Sequence, residues 1–195
     1  MNVNVKNRAA KITRKTNETQ IELELNIDGT GKYSIDMLIG FLKHMLELFA
    51  KHGLFDLQIK CSGDIEIDFH HTVEDLGIVL GAAFKQALSD MRGIKRYGFF
   101  ILPMDEAIAE VSLDICNRSI LVYNVNLPGE KIANFDVELF REFFEKFALN
   151  AGITLHINLR NANNAHHGIE AIFKCFAKAL DIATQYDSRI QGLNT

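Results

Sequence analysis

The sequence predicts an α+β fold that arose by internal duplication. We expect two similar halves, each with a mainly antiparallel four-stranded sheet and two helices on one face. Two observations lead to this prediction. The pattern His-His-x-x-Glu occurs twice, at residues 70–74 and 166–170, and each copy opens a segment with the apolar spacing of an amphipathic helix. Each copy also follows alternating strands and one shorter helix, and this common order indicates a repeat.

We assign residues 1–92 to the first half-repeat. Apolar and polar residues alternate over 20–27, which predicts a half-buried strand, and the turn sequence Asp-Gly-Thr-Gly ends it at residue 31. The predicted elements of this half are, in order, a strand over 20–27, a helix from residue 41 to about 53, two strands over 55–61 and 65–69 that form a hairpin, and the first His-His helix from residue 70 to about 91.

We assign residues 93–195 to the second half-repeat, and we expect the two halves to form one domain. The predicted elements are strands over 109–115 and 121–127, a helix over 140–147 that ends near Gly152, a strand over 153–159, and the second His-His helix. When the halves are superimposed by sequence, Glu18 matches Glu106, and His44 falls opposite Glu142.

Composition excludes several classes of protein. The chain has 195 residues and a formal net charge of −4, which argues against nucleic acid as a partner. No apolar run is long enough to cross a membrane, and the polar, basic start lacks the apolar core of a signal peptide. Three scattered cysteines have the pattern of free thiols in a reducing compartment. These features predict a soluble protein of the cytoplasm.

The repeated His-His-x-x-Glu pattern indicates a metal site. Two imidazoles and a carboxylate at a helix start make a nitrogen- and oxygen-containing ligand set, and spacings of three and four residues place the glutamate beside both histidines. A single copy is equally compatible with a polar first turn in which the helix dipole favours Glu. Two copies with identical spacing favour the metal. The donor types fit manganese, but also iron, cobalt, nickel or zinc.

Five longer motifs occur in order and resemble those of the imidazoleglycerol-phosphate dehydratase family, in its single-function form. They are Gly-Phe-Leu-Lys-His-Met-Leu at 40–46, Lys-His-Gly-Leu-Phe-Asp at 51–56, His-His-Thr-Val-Glu-Asp-Leu-Gly at 70–77, Leu-Asp-Ile-Cys-Asn-Arg at 113–118 and Ala-His-His-Gly-Ile-Glu-Ala-Ile-Phe-Lys at 165–174. The similarity extends from about Arg8 to about Asp187. It implies that both halves together form one catalytic domain.

The resemblance implies a lyase that dehydrates D-erythro-imidazole-glycerol phosphate to imidazole-acetol phosphate in histidine biosynthesis. It also implies two Mn²⁺ ions per active site. The C–H next to the imidazole ring is not acidic, so metal on the ring nitrogens would stabilise an imidazolate that expels hydroxide. A carboxylate is still required to move protons.

The motif match implies a role for each candidate site residue. The implied metal ligands are His44, His70, His71, Glu74, Glu142, His166, His167 and Glu170. The implied catalytic residues are Glu18, His71 and Glu170, and Glu106 and Asp105 are weaker alternatives to Glu18. The implied substrate-binding residues are Glu18, His52, Arg96, Arg118 and Lys174; the arginines suit a phosphate because a guanidinium binds it through two nitrogens.

The resemblance further implies a homo-oligomer of about 24 subunits, with active sites shared between chains and a small phosphate ester as substrate. Closed symmetric assembly would let ligands of different subunits meet. Two other functions stay open at this point. One is a metal-dependent hydrolase, although the His-Glu-x-x-His pattern of zinc peptidases is absent. The other is a metal-binding shell protein without catalytic activity.

Overall fold

A computed structural model describes residues 8–190 of the chain. The predicted α+β class is confirmed, with ten strands and four helices in this part of the chain. The first half contains β1 (Ala9–Lys15), β2 (Thr19–Asn26), β3 (Tyr33–Asp36), α1 (Gly40–Gly53), β4 (Asp56–Gly63) and α2 (His70–Leu88). The second half contains β5 (Tyr97–Met104), β6 (Ala107–Ile115), β7 (Ile120–Asn124), β8 (Lys131–Ile132), β9 (Phe135–Asp136), α3 (Leu139–Ala151), β10 (Ile153–Asn161) and α4 (Ala165–Thr184).

The two halves have the same sheet topology. The first sheet has the order β1-β2-β4-β3 and the second the order β5-β6-β10-β7. In each sheet the first three strands are antiparallel and the fourth is parallel to its neighbour. Both helices of each half contact their own sheet. The predicted mainly antiparallel four-stranded sheets are therefore confirmed, whereas the division at residues 92 and 93 stays a prediction.

One predicted strand is wrong. Residues 65–69 form a turn and a bend instead of pairing with β4, and Ile67 N donates to Asp64 O at 2.9 Å within that turn. Ile67 itself is 68% exposed, whereas Ile65 and Phe69 pack against the core from the turn without forming a strand. The side chain of Asp68 accepts from the first backbone amide of α2, His70 N, at 2.7 Å, so this stretch leads into the helix.

Two edge strands gave no usable pattern in the sequence. In β1 the inward positions are Ala10, Ile12 and Arg14, and the charged third member hides the alternation. In β5 both faces are apolar, because Tyr97 and Phe99 point outward while Phe100 points inward. Alternation fails as a signal when the solvent face of a strand carries large apolar side chains.

The end of the second sheet also differs from the prediction. The strand expected over 121–127 ends at Asn124, and it pairs in parallel with β10. The parallel connection places α3 between β7 and β10 in the chain, as α1 lies between β3 and β4. Each half therefore has the order strand, strand, strand, helix, strand, helix, with the short β8–β9 hairpin added in the second.

The helices pair across the two halves. Helix α2 packs on α3, and α1 packs on α4. Gly77 and Gly81 of α2 permit the first contact, because a Cβ atom on either would lie 2.6 Å from a backbone carbonyl of α3. Buried phenylalanines fill the space between the sheets, among them Phe84, Phe143, Phe147 and Phe176. As a result, the first turns of α2 and α4 each lie beside a helix from the other half.

Candidate metal centre

The two His-His pairs begin their helices in equivalent ways. Asp68 Oδ1 accepts from His70 N, and Asn164 Oδ1 accepts from His166 N at 2.9 Å. An amide or carboxylate oxygen at this place satisfies a backbone N–H that has no partner inside the helix. The caps fix the first turn, so the direction of each histidine side chain is determined by its place on the helix.

The first candidate metal site, called cluster A here, contains His44 from α1 and His166 and Glu170 from α4. The Nε2 atoms of both histidines lie 2.9 Å from Glu170 Oε1. One donor atom from each residue lies within 4.8 Å of the others, which is the separation that a shared metal ion requires. The predicted ligands His44, His166 and Glu170 are thus brought together by helices of different halves.

The second candidate site, cluster B, contains His70 and Glu74 from α2 and Glu142 from α3. His70 Nε2 lies 3.6 Å from Glu74 Oε2, and the donor atoms of all three residues meet the same separation limit. Cluster B has one nitrogen and two carboxylate donors, whereas cluster A has two nitrogens and one carboxylate. Because Glu142 stands where His44 stands in the first half, the duplication has produced two unlike ligand sets.

The second histidine of each pair lies outside both clusters. Within the described residues the glutamate shares a cluster with the first histidine of each pair, His70 or His166, whereas His71 meets Glu74 as part of the lining of an open cleft. The ring centroids of His70 and His71 are 6.2 Å apart, and the rings are nearly perpendicular. His71 Nδ1 instead lies 2.9 Å from Asp64 Oδ2, and His167 Nδ1 lies 2.9 Å from Glu106 Oε2.

Asp64 and Glu106 fix the orientation of His71 and His167, the second histidine of each pair. The hydrogen bond to Asp64 raises the pKa of His71, and the hydrogen bond to Glu106 raises the pKa of His167. A carboxylate on Nδ1 fixes the ring and directs Nε2 outward, as is usual for histidines that bind metals. In His167 the Nε2 atom has Asp105 as its neighbour, at 3.8 Å. His71 and His167 each therefore have a ring fixed through Nδ1 by a carboxylate.

A lysine accompanies each cluster. Lys174 Nζ lies 2.6 Å from Glu170 Oε2, on the side of the carboxylate away from the two histidines, and 3.0 Å from Met104 Sδ. Burial alone would raise the pKa of Glu170, but hydrogen bonds from Lys174, His44 and His166 outweigh it and lower the pKa to about 2. The predicted substrate-binding residue Lys174 is thus next to cluster A.

Lys146 was not predicted from the sequence. Its Nζ atom lies 3.0 Å from Glu74 Oε1 and 3.1 Å from Glu142 Oε1, so it bridges the two carboxylates of cluster B. The sequence feature that could have identified Lys146 was its spacing of four residues from Glu142 on one helix. The ammonium offsets the repulsion between two carboxylates that both approach the same point.

Replacement of Lys146 by Met is expected to destabilise the metal-free protein. The two carboxylates would face each other without a cation, at a cost of about 1 kcal/mol, which lowers the melting temperature by about 2–4 °C. Added Mn²⁺ should restore the loss. Thermal unfolding with and without metal measures both effects, and Lys85→Met, at an exposed lysine of α2, is the matched control. An unchanged melting temperature in metal-free Lys146→Met would contradict this role.

Glu18 lies in the turn between β1 and β2. It lines an open cleft of about 250 Å³ together with His71 and Glu74 of α2, and Arg14, Thr16 and Asp75 complete the lining. The nearby charge of Glu18 adds to the effect of Asp64 in raising the pKa of His71. Among the described residues, the Glu18 carboxylate has no hydrogen-bond partner. The predicted proton-transfer residue is therefore exposed and next to a predicted ligand.

His52 lies two turns beyond His44 on α1, close to the lysines that follow Glu170 on α4. Burial lowers the pKa of His52, and the charges of Lys174 and Lys178 lower it further. A neutral imidazole near two ammonium groups suits a role in contacting a phosphate ester. The structure thus places the predicted residues His52 and Lys174 on the same side of cluster A.

The predicted arginines lie far from cluster A of the same chain. Arg96 is buried against Asp114, with Nε 2.6 Å from Oδ1, and Arg118 approaches the same carboxylate at 3.4 Å from an exposed position. Arg96 N donates to Ala183 O near the end of α4, whereas His166 lies at its start. The intervening helix is about 25 Å long at its usual rise per residue. A single small substrate cannot contact both ends.

Two further residues with a clear place in this site were missed or undervalued by sequence reasoning. Asp64 carries the hydrogen bond to His71, and Glu106, a weaker candidate for proton transfer, carries the one to His167. The repeat had pointed to Glu106 only as the match of Glu18, and it gave no signal for Asp64, because the carboxylates that hold His71 and His167 come from unlike places in their two halves. The expectation that a ligating histidine has a carboxylate on its other nitrogen was the available guide.

The duplicated α+β fold and its two histidine–carboxylate clusters define a protein class with two candidate metal sites, each built from both halves. A family model described as imidazoleglycerol-phosphate dehydratase matches residues 38–180. This chain belongs to the imidazoleglycerol-phosphate dehydratase family. An imidazoleglycerol-phosphate dehydratase of Geobacter sp. (strain M21) is 59% identical over 186 residues, which cover 95% of each chain. That of Acetivibrio thermocellus is 55% identical over the same length and the same coverage.

Solved structures agree with this assignment. Imidazoleglycerol-phosphate dehydratase from Staphylococcus aureus superimposes with a TM-score of 0.84 at 39% identity, covering 92% of this chain and 99% of that one. The enzyme from Pyrococcus furiosus, solved in complex with (S)-C348, gives a TM-score of 0.80 at 35% identity and covers 92% of this chain and 97% of that one. Within residues 8–190, no helix has the length and apolar character needed to cross a membrane.

Proposed function

We propose that this chain is a carbon–oxygen hydro-lyase that converts D-erythro-imidazole-glycerol phosphate to imidazole-acetol phosphate in histidine biosynthesis. Membership of the family carries this proposal, together with the close relatives of the same name over nearly the whole chain. The geometry is consistent with it. Two clusters of histidine and carboxylate donors lie at the starts of the repeated helices, and an exposed carboxylate lies beside one of them.

The cofactor we propose is Mn²⁺, with two ions per active site. Clusters A and B fit a divalent ion because their donor atoms converge and are nitrogen and oxygen only. His44, His166 and Glu170 would hold one ion, and His70, Glu74 and Glu142 the other, with His71 and His167 of neighbouring chains as further ligands. When bound, manganese supplies positive charge that stabilises an electron-rich imidazole ring.

The residues of this chain then have separate roles. Glu18 removes or delivers the proton at the carbon next to the ring, and its exposed carboxylate is available for that step. His71, fixed by Asp64, and Glu170, fixed by Lys174, orient the reacting groups. Lys174 attracts the phosphate end of the substrate, His52 offers it a neutral N–H donor, and Arg118 offers it a guanidinium that is mostly exposed.

We propose that each active site is shared between chains. Arg96 and cluster A of one chain lie at opposite ends of α4, so one substrate can contact both only if they come from different subunits. His71 and His167 support the same idea, because their outward nitrogens lie outside the clusters of their own chain. A closed homo-oligomer of about 24 subunits satisfies this requirement by symmetry.

The three cysteines Cys61, Cys116 and Cys175 are free thiols, which supports a place in the reducing cytoplasm.

Metal removal tests the proposed reaction and cofactor together. Protein stripped of metal by a chelator should form no acetol product from imidazoleglycerol phosphate, and added Mn²⁺ should restore turnover. Bound manganese is measured in parallel by elemental analysis. Protein that binds manganese and forms no product would contradict the enzyme and favour a metal-binding shell protein. Turnover that survives complete metal removal would contradict the cofactor.

A further inference from the structure

The turns that carry Glu18 and Glu106 are equivalent in the duplication but differ in how their carboxylates are used. Glu106 accepts hydrogen bonds from His167 Nδ1 and from Asn164 N, both at 2.9 Å, and so ties its own turn to the start of α4. The Glu18 carboxylate makes no such bond within residues 8–190, although it lines one cleft with His71 and Glu74 of α2. Other residues must therefore hold the Glu18 turn in place.

A buried aspartate performs that function. Asp75 of α2 is 6% exposed and accepts from Arg14 Nε at 2.8 Å and from Thr19 Oγ1 in a short hydrogen bond. Arg14 lies near the end of β1, and Thr19 begins β2, so Asp75 joins the two strands on either side of the turn to the helix. These three residues are called the Asp75 network here.

The turn between the two strands is fixed from within as well. Thr16 Oγ1 accepts from the backbone amides of Glu18 and Thr19, at 3.1 and 2.9 Å. The backbone oxygen of Glu18 accepts from Asp64 N at 3.1 Å, and the side chain of Asp64 holds His71. Glu18 is thereby connected to α2 by two routes, and its carboxylate is left to project into the cleft.

The second half shows that the fold does not require this network. Counted from the matched glutamates and histidines, Leu102 stands in place of Arg14, Ala107 in place of Thr19 and Ala171 in place of Asp75. All three replacements are apolar, and the second sheet has the same topology. Burying a carboxylate costs free energy unless it is fully paired, and natural proteins accept such costs at functional sites.

We propose that the Asp75 network positions Glu18 for proton transfer, and that it is specific to the half-repeat whose glutamate acts on substrate. This inference rests on the proposed function. Arg14 and Thr19 hold the ends of the turn so that the Glu18 carboxylate stays at a fixed distance from His71. A displacement of about 1 Å at a reacting group can lower a rate about a hundredfold. The network residues do not themselves touch the reacting atoms.

The test uses Thr19→Val, which keeps the shape of the side chain and removes the hydroxyl that Asp75 accepts from. Its kcat is expected to fall tenfold or more, while KM and the bound manganese per chain stay close to wild type. Thr19→Ser restores the hydroxyl and should recover most of kcat. Asp75→Asn keeps an acceptor but loses the charge, and its kcat should be lower than that of Thr19→Ser.

Asp28→Asn is the matched control, because the Arg8–Asp28 pair anchors the opposite end of the same two strands, with Arg8 Nε 2.9 Å from Asp28 Oδ2. It should lower the melting temperature without lowering kcat. The inference is overturned if Thr19→Val retains more than a tenth of wild-type kcat, if it loses manganese, or if Asp28→Asn loses kcat as severely. Wild-type protein that forms no product would refute the proposed function instead, so the two failures are distinguishable.

Discussion

Glu18→Gln is expected to lower kcat by about 10²–10⁴-fold while the protein keeps its bound manganese. The amide has the size of the carboxylate but cannot take up a proton. Because the Glu18 side chain makes no hydrogen bond within the described residues, the change should leave the melting temperature and the oligomeric mass unaltered. Steady-state kinetics, elemental analysis and light scattering on the same preparation measure the three quantities.

Two other glutamates serve as controls for Glu18. Glu22→Gln, on the exposed face of β2, should leave kcat and manganese content unchanged. Glu106→Gln should act differently again, because the His167 ring loses the carboxylate on its Nδ1 atom. We expect that variant to bind manganese more weakly, by about 10–100-fold. Retained turnover in Glu18→Gln, with loss in Glu106→Gln at full manganese occupancy, would show that proton transfer belongs to the second half.

Two inactive variants are expected to restore activity when they are co-expressed. His44→Ala removes a ligand of cluster A, and Arg118→Ala removes an exposed guanidinium at the other end of the second half. If each site takes its clusters and its arginine from different chains, random assembly gives about a quarter of the sites a complete set. Each variant alone should be nearly inactive. Specific activity of the purified mixed oligomer provides the measurement.

The matched control for co-expression combines His44→Ala with Glu170→Ala. Both residues belong to cluster A of the same chain, so each chain of either variant has a defective cluster A. No activity should return. Recovery in this control would indicate reversion or contamination. An absence of recovery with His44→Ala and Arg118→Ala would contradict sites shared between chains.

Sequence patterns predicted the helices of this fold better than its strands. Apolar side chains at helical spacing face one core in α2 and α4, so their signal was strong. The sequence signal of the edge strands was weaker, because Arg14 occupies an inward position of β1 and Phe99 an outward position of β5. The helix pairing across halves depends on close approach at Gly77 and Gly81, and such contacts have no local signature.

The candidate site was predictable in its composition but not in its partners. The repeated His-His-x-x-Glu pattern indicated two metal sites, and family motifs supplied His44 and Glu142. The pattern did not reveal that His70 and His71 point apart, or that Lys146 bridges cluster B. These properties follow from helix packing, which brings together residues far apart in the chain. The same holds for Asp75, whose partners lie on β1 and β2.

The crossed pairing of helices has a consequence for unfolding. His44 and Glu170 are 126 residues apart in sequence, so a ligand held between them closes a loop of most of the chain. By the chain-entropy reasoning used for disulfides, a permanent link of this length would stabilise the folded state by about 5 kcal/mol. A metal that exchanges slowly would approach this limit. The occupied protein should therefore unfold in one slow step, with both halves released together, and resist proteolysis long after the metal-free form is cleaved.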